Sequence, residues 1–214
     1  GCCLCMECSK ICKAHALRHD MVETMQDIEI GAVILTGGFD AFDARKKSEY
    51  GFGRYPNVVT SMQFERILSA SGPYEGHLKR PSDGKTPRKI AWIQCVGSRD
   101  TVLGNDYCSS VCCMYATKEA MIAKEHESGV EPTIFFTDMR AFGKGFEGFY
   151  NTARLKAGVR YVRSQISSVR ENPGNGNIVL RYVGENGVKG IVEEEFDIVV
   201  LSVGLVAHHS TGKT

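Results

Sequence analysis

The chain has 214 residues, 43% hydrophobic and 24% charged, with a formal net charge of +1. That balance can bury a core without disulfides, the charge gives no reason to expect nucleic acid as a partner, and no apolar run approaches the length of a membrane span. The opening residues carry no secretory leader pattern, so a cytoplasmic protein is expected, and the Met-less start "GCCLCMECSKIC" and polar end "AHHSTGKT" read as the edges of a piece of a longer protein.

Residues 1–20 are a cysteine segment with little periodicity, and residues 21–29 are polar and acidic. From Ile28, "IEIGAVILTGGFDAFD" predicts a buried parallel strand closed by a glycine turn at Thr36, Gly37 and Gly38. Residues 43–58 read as loop. "SMQFERILSA" places Met62, Phe64, Ile67 and Leu68 at helical spacing, with Ser61 as N-cap. Residues 71–88, rich in Gly, Pro, Ser and Lys, predict a linker or exposed crossover. A new unit follows: a strand at 90–93, then a helix in "SSVCCMYATKEAMIAKEH" that starts near Ser109 or Ser110. Next come a strand in "PTIFFTDMR", a helix in "FEGFYNTARLKAG" stopped at Gly158, and a strand in "VRYVRSQISSV". A hairpin turning at Asn186-Gly187 and a buried strand in "DIVVLSVGL" complete it. The alternation from 89 to 166 predicts a parallel, right-handed, doubly wound sheet.

Nine cysteines fall in two groups, with none between Cys12 and Cys95. Clustered thiols in an odd number favour metal over a disulfide framework. Cys2, Cys5, Cys8 and Cys12 are spaced C-x2-C-x2-C-x3-C, as in a bacterial ferredoxin cluster motif. Lys13 stands where proline is usual, and Cys3 is a spare thiol able to replace Cys2. A zinc knuckle, or a remnant that binds nothing, fits the same residues. The second group, Cys95, Cys108, Cys112 and Cys113, matches no standard zinc or ferredoxin spacing. Cys95 ends a strand at the ligand-binding edge of an open α/β sheet, and Cys112 and Cys113 open a helix whose N-terminus favours negative charge. A 4Fe–4S cluster suits that placement, and inert cysteines packing helix on strand are the alternative.

Glycine signals are weak. "IQCVGSRD" has only Gly97 where a phosphate-gripping loop needs several glycines, which suggests a nicotinamide-binding fold without its phosphate loop. Gly143, Gly145 and Gly148 match G-x-G-x-x-G but lie mid-unit and read as loop. "TGKT" lacks the first glycine of a phosphate loop. The six histidines are expected at the surface.

Five stretches, "GRYPNVVTSMQFERILSASGP", "RPSDGKTPRKIAWIQCVGSRD", "YCSSVCCMYATKEAMIAKEH", "RAFGKGFEGFY" and "DIVVLSVGL", closely resemble the flavin-bearing A subunits of heterodisulfide reductases. The A subunit of the quinone-interacting membrane-bound oxidoreductase shares part of the pattern. The resemblance runs from about Cys5 to Ala207. It implies an α/β, thioredoxin-reductase-like FAD/NAD(P)-binding (Rossmann-like) fold, incomplete, with a ferredoxin-module remnant at the N-terminus.

The boundaries it suggests are 1–20 for the end of a ferredoxin-type module, 21–85 for part of an FAD-binding domain, 86–196 for a Rossmann domain carrying a four-cysteine cluster site, and 197–214 for a return strand and an unrelated tail. It also implies an oxidoreductase subunit that passes electrons between FAD and 4Fe–4S clusters, with Cys95, Cys108, Cys112 and Cys113 as ligands of a cluster beside the flavin. Cys5, Cys8 and Cys12 resemble the end of the inserted ferredoxin module, whose first ligand in the family lies further upstream than Cys2, so that the spacing alone makes Cys2 or Cys3 the fourth ligand of that cluster. Glu65 and Lys118 are implied near the flavin ring, and Thr36, Gly37, Gly38 and Gly204 against FAD. The partners implied are other subunits of such a complex and ferredoxin, hydrogenase or dehydrogenase-type electron donors. The family's glycine-rich FAD phosphate motif lies upstream of this stretch, so the chain alone is expected to bind FAD weakly or not at all and to be inactive by itself. The competing expectation is a non-catalytic zinc- or cluster-carrying scaffold that docks other subunits.

Overall fold

The computed structural model describes residues 3–34, 36–184 and 190–208, and the chain divides into two compact units, Gly1–Thr36 and Gly37–Thr214. The first unit holds one short helix, α1 (Glu7–Ile11), with no buried residue. The strand expected from Ile28 does not form among its described residues. Ile28, Ile30, Val33 and Ile34 are all exposed. A parallel strand becomes buried only between hydrogen-bonded neighbours, and the described part of this unit contains no strand to pair with it.

The second unit begins with β1 (Phe39–Ala41), β2 (Val58–Thr60), α2 (Ser61–Leu68), β3 (Lys89–Val96) and α3 (Cys112–His126). It continues through β4 (Glu131–Phe135), α4 (Phe146–Leu155), β5 (Arg160–Val162), β6 (Ile166–Glu171), β7 (Ile178–Val183), β8 (Ile191–Phe196), β9 (Ile198–Val203) and β10 (Leu205–Ala207). Five strands make one wholly parallel sheet in the order β2-β9-β3-β4-β5, an α/β architecture compatible with a Rossmann-like fold. All six residues of β9 are buried, as its unbroken apolar run requires for a central strand.

Among the described residues the α-helices cover one face of that sheet. Phe64, Ile67 and Leu68 of α2, the alanines 116, 120 and 123 of α3 and Ala153 of α4 share one core with Ile90, Trp92, Ile134, Ile198 and Val200. The opposite face is covered by a three-stranded antiparallel sheet, β6-β7-β8, whose Val169, Ile178, Leu180, Tyr182 and Phe196 pack against Ala91, Ile93, Phe135, Val199 and Leu201. This corrects the expected doubly wound sheet. The stretch read as one third strand splits at residues 163–165. Its first half joins the parallel sheet, and its second half alternates in burial and pairs with β7. The expected turn at Asn186-Gly187 lies outside the described residues.

Two local expectations shift. Thr60, not Ser61, caps α2: its side chain accepts from the Gln63 N–H while the Gln63 side chain accepts from the Thr60 N–H, a reciprocal capping box. The segment 71–88 has no helix or strand but is anchored. Its Arg80 is buried, donating to Asn177 Oδ1 at 2.9 Å and to the Asn175 carbonyl at 2.9 Å, and lies 3.4 Å from Asp197. No helix among the described residues is long and apolar enough to cross a membrane.

Candidate cluster site

β3 does not end as a regular strand. Its register against β9 shifts between Ile93 and Val96, and Cys95 adopts a left-handed backbone, φ +61°. For a non-glycine residue that conformation costs on the order of 1–3 kcal/mol and is retained where the surroundings hold it. Gly97 follows, also left-handed at φ +75°, with its Cα against Phe42; an added Cβ would sit 2.1 Å from that ring. No other residue type fits there.

From this point the chain makes an ordered excursion before α3. Asp100 and Asn105 exchange backbone hydrogen bonds of 2.7 and 2.9 Å, and the Asn105 side chain donates to the Gly97 carbonyl at 3.0 Å. The Arg99 N–H donates to the Tyr107 carbonyl, while Tyr107 Oη donates to the Leu205 carbonyl. Ser98 and Ser109 join hydroxyls at 2.6 Å, and Ser109 Oγ accepts from the Leu205 N–H at 2.8 Å. The loop is thereby tied to β10, and Cys108 is fixed between two anchors. Ser109 and Ser110, expected near the helix start, do not cap it: Val111 is the N-cap and makes no side-chain bond.

The four cysteines of this group all lie at the carboxyl edge of the parallel sheet. Cys95 is at the end of β3. Cys112 Sγ is 3.6 Å from the Val203 carbonyl, the last residue of β9. Cys113 Sγ is 3.7 Å from the Asp138 carbonyl, past the end of β4, and accepts from the Arg140 N–H at 3.4 Å. Cys108 Sγ accepts from the Ser110 N–H at 3.4 Å.

The thiols also sense one another. Burial pushes Cys95 up, and negative charge on Cys113 and Cys108 pushes it further. Burial takes Cys112 to about 12, relieved in part by the Tyr115 hydrogen bond and reinforced by negative charge on Cys95, Cys113 and Cys108. Cys113 is raised by burial against the Arg140 N–H. Four neighbouring thiolates therefore do not coexist here unless positive charge lies between them. Iron between them would supply it, and its binding would expel the thiol protons. Among the described residues no group of three or more His, Cys, Asp and Glu is gathered closely enough to hold a metal ion as the side chains stand. The donor set, the N–H groups aimed at sulfur and the mutual repulsion fit a cluster.

The first unit treats its thiols differently. Cys3, Cys5 and Cys8 are exposed and Cys12 is half-buried, while Cys2 lies outside the described residues. The backbone N–H of Glu7 and the Cys3 thiol lower Cys5. The Ala16 N–H, 3.4 Å from Cys12 Sγ, lowers Cys12. Cys8 Sγ lies 3.6 Å from His19 Nε2, a contact the spacing of the histidines does not suggest. Amide donors aimed at sulfur favour thiolate, the form that ligates iron. In the metal-free chain, Cys5 and Cys12 are expected to alkylate with iodoacetamide at pH 7.5 far faster than Cys112, whose thiolate fraction is lower by about a thousandfold than that of an ordinary cysteine. Mass spectrometry of timed digests checks the order.

The remaining expected residues separate. Lys118 of α3 forms an ion pair with Glu65 of α2, both part-exposed. Gly204 packs against the Ser98–Ser109 pair; a Cβ there would lie 2.0 Å from Ser98 Oγ. Thr36 closes the first unit, and Gly37 and Gly38 open the second, exposed and in no helix or strand. A polar cavity of about 340 Å³ runs beside Cys95 along the sheet edge, lined by Gln94, Arg99, Thr137 and Gln165 among others. Gln94 is buried there with neither side-chain atom hydrogen-bonded.

No family model matches the chain. Curated relatives do. The chain is 42% identical over 213 residues to the A subunit of the H(2):CoB-CoM heterodisulfide,ferredoxin reductase of Methanothermobacter thermautotrophicus, covering 99% of this chain and 32% of that protein. It is 43% identical to the iron-sulfur A subunit of the CoB--CoM heterodisulfide reductase of Methanocaldococcus jannaschii, over 95% of this chain and 31% of that protein. The chain is homologous to a segment of the heterodisulfide reductase A subunit. It spans about a third of the length of these relatives. A further heterodisulfide reductase A subunit, from Methanosarcina acetivorans, is described as ferredoxin/F(420)H(2)-dependent and is 42% identical over 94% of the chain and 25% of its own length.

Proposed function

We propose that this segment is part of an iron–sulfur flavoprotein oxidoreductase and carries electrons between FAD and 4Fe–4S clusters, within a heterodisulfide-reductase-type complex working with ferredoxin or a related electron donor. The observation that carries the reading is the gathering of Cys95, Cys108, Cys112 and Cys113 at the carboxyl edge of a parallel sheet, the edge at which open α/β folds bind cofactors. The fold is read as thioredoxin-reductase-like, with residues 1–20 as the end of a ferredoxin-type module holding Cys2, Cys5, Cys8 and Cys12.

When bound in the complete protein, FAD supplies two-electron chemistry and clusters supply one-electron steps. The chain's own residues set the conditions. Lys118 offers an ammonium at the face it shares with Glu65, and positive charge beside a flavin favours its reduced, anionic form. Thr36, Gly37, Gly38 and Gly204 are assigned to FAD in the same reading. In the complete protein, Lys118→Met is expected to lower the potential of the bound flavin by on the order of 30 mV, the two-electron equivalent of about 1.4 kcal/mol. Spectroelectrochemical titration of the flavin checks this. An unchanged potential contradicts the placement of Lys118, and zinc in place of iron at the second cysteine group contradicts the electron-transfer reading.

A further inference from the structure

Behind the Glu65–Lys118 pair lies a carboxyl group that none of the roles above uses. Glu119 of α3 is fully buried. Its Oε2 accepts from Trp92 Nε1 at 2.7 Å. Its Oε1 is equally buried, with no N–H or O–H donor beside it. The carboxylate of Glu65 reaches it from α2, and Glu65 in turn pairs with Lys118.

This geometry assigns a proton. A buried carboxyl group beside a second carboxylate resists ionising, because burial and the neighbouring negative charge both disfavour its charged form. Oε2 is already committed to the indole as an acceptor, and Oε1 is buried with no donor to satisfy it. A proton on Oε1 turns that orphan into a donor toward Glu65. The resulting chain runs from the Trp92 N–H to Glu119, from the Glu119 O–H to the Glu65 carboxylate, and from Glu65 to the Lys118 ammonium, with no net charge. We propose that Glu119 is the proton reserve of the Glu65–Lys118 site. It is a positioning residue that hands its proton to Glu65 and takes it back.

In that step the Oε1–H bond of Glu119 breaks, an O–H bond forms on Glu65, and the anion left on Glu119 is steadied by the Trp92 N–H. No electron moves. The charged and titratable groups around Glu119 act in known directions. Burial and the charge on Glu65 raise it, while the Trp92 hydrogen bond and Lys118 lower it. Tyr115, on the same helix, is itself raised and neutral. The proposal rests on the assignment of Glu65 and Lys118 to the flavin only for its purpose, not for the proton itself.

Trp92 is the single tryptophan of the chain, so its fluorescence reports directly on Glu119. On the 214-residue chain, a fluorescence titration is expected to show a transition well above the range in which ordinary glutamates titrate. Glu119→Gln abolishes the transition, Glu65→Gln moves it down, and Lys118→Met moves it up. A purely structural Glu119 gives no transition, or one that ignores both neighbours, and either result overturns the proposal. Should Glu119→Gln not fold, an infrared carbonyl band of a protonated carboxyl that persists above the pH range of ordinary glutamates, and that Glu65→Gln shifts, is the result expected, and its absence overturns the proposal equally. These readouts need no flavin. If they appear while Lys118→Met leaves the flavin potential of the complete protein unmoved, the proton site stands and its assignment to FAD fails.

Discussion

Replacing Cys112 by alanine is expected to remove about four iron and four acid-labile sulfide per chain from anaerobically prepared protein, and to leave any cluster on the first cysteine group in place. Cys112 is buried, and burial pushes its thiol up to about 12. As a lone buried thiol it is a neutral, packed side chain, and its removal deletes a single sulfur from the core. As a cluster ligand it is one of four thiolates whose charge is offset by iron. The two cases differ in iron content, and only the loss of a bound cluster also removes its contribution to stability. Cys112→Ser, which keeps the volume, is expected to show the same loss of iron, and retention of full iron and sulfide in both variants contradicts the assignment. The companion substitution Cys3→Ser is expected to leave the second site's iron unchanged, because Cys3 belongs to the other compact unit.

The second large effect concerns Trp92. Its side chain is fully buried in the helix-covered core, edge-on to Phe64 with ring centroids 5.3 Å apart, and its N–H is the donor to Glu119. Trp92→Ala is expected to destabilise the second unit by about 3–5 kcal/mol, which lowers Tm by roughly 10 °C. Part of the loss is the cavity, and part is the stranding of a buried carboxyl without its donor. Circular dichroism melts of the wild type, Trp92→Phe and Trp92→Ala separate the two. The phenylalanine variant keeps most of the volume and loses the hydrogen bond, so it is expected to fall between. A Trp92→Ala melt within about 2 °C of the wild type would contradict this packing of the core.

Much of this is legible in the chain itself. The apolar runs of β3, β4 and β9 announce buried strands because a central parallel strand has no polar face to display. The placement of Cys95 at a strand end and of Cys112 and Cys113 at a helix start follows from the same patterns. The antiparallel layer is not legible as the cover of the parallel sheet, since nothing in the alternation of β6 and β7 states which surface they pack on. The strand expected at Ile28 fails because burial belongs to neighbours, not to the segment. The frame of the cluster site is hidden for a related reason. Phe42 against Gly97, and Ser98 and Ser109 against Gly204, join residues far apart in the chain, and only Gly97 leaves a visible trace. Glu119 looks like one more polar helix residue next to Lys118. Its signal is position, one turn beyond Tyr115 on the face that carries Ala116, Ala120 and Ala123 into the core.

The central claim is that the second unit builds a 4Fe–4S site from Cys95, Cys108, Cys112 and Cys113 without help from the first cysteine group. The most direct measurement is anaerobic reconstitution of the chain with Cys2, Cys3, Cys5, Cys8 and Cys12 all replaced by serine. Iron and sulfide analysis and electron paramagnetic resonance after reduction then follow. One cluster is expected, with about four iron and four sulfide per chain and the signal of a reduced 4Fe–4S centre. A chain that takes up zinc, or no metal at all, would contradict the claim.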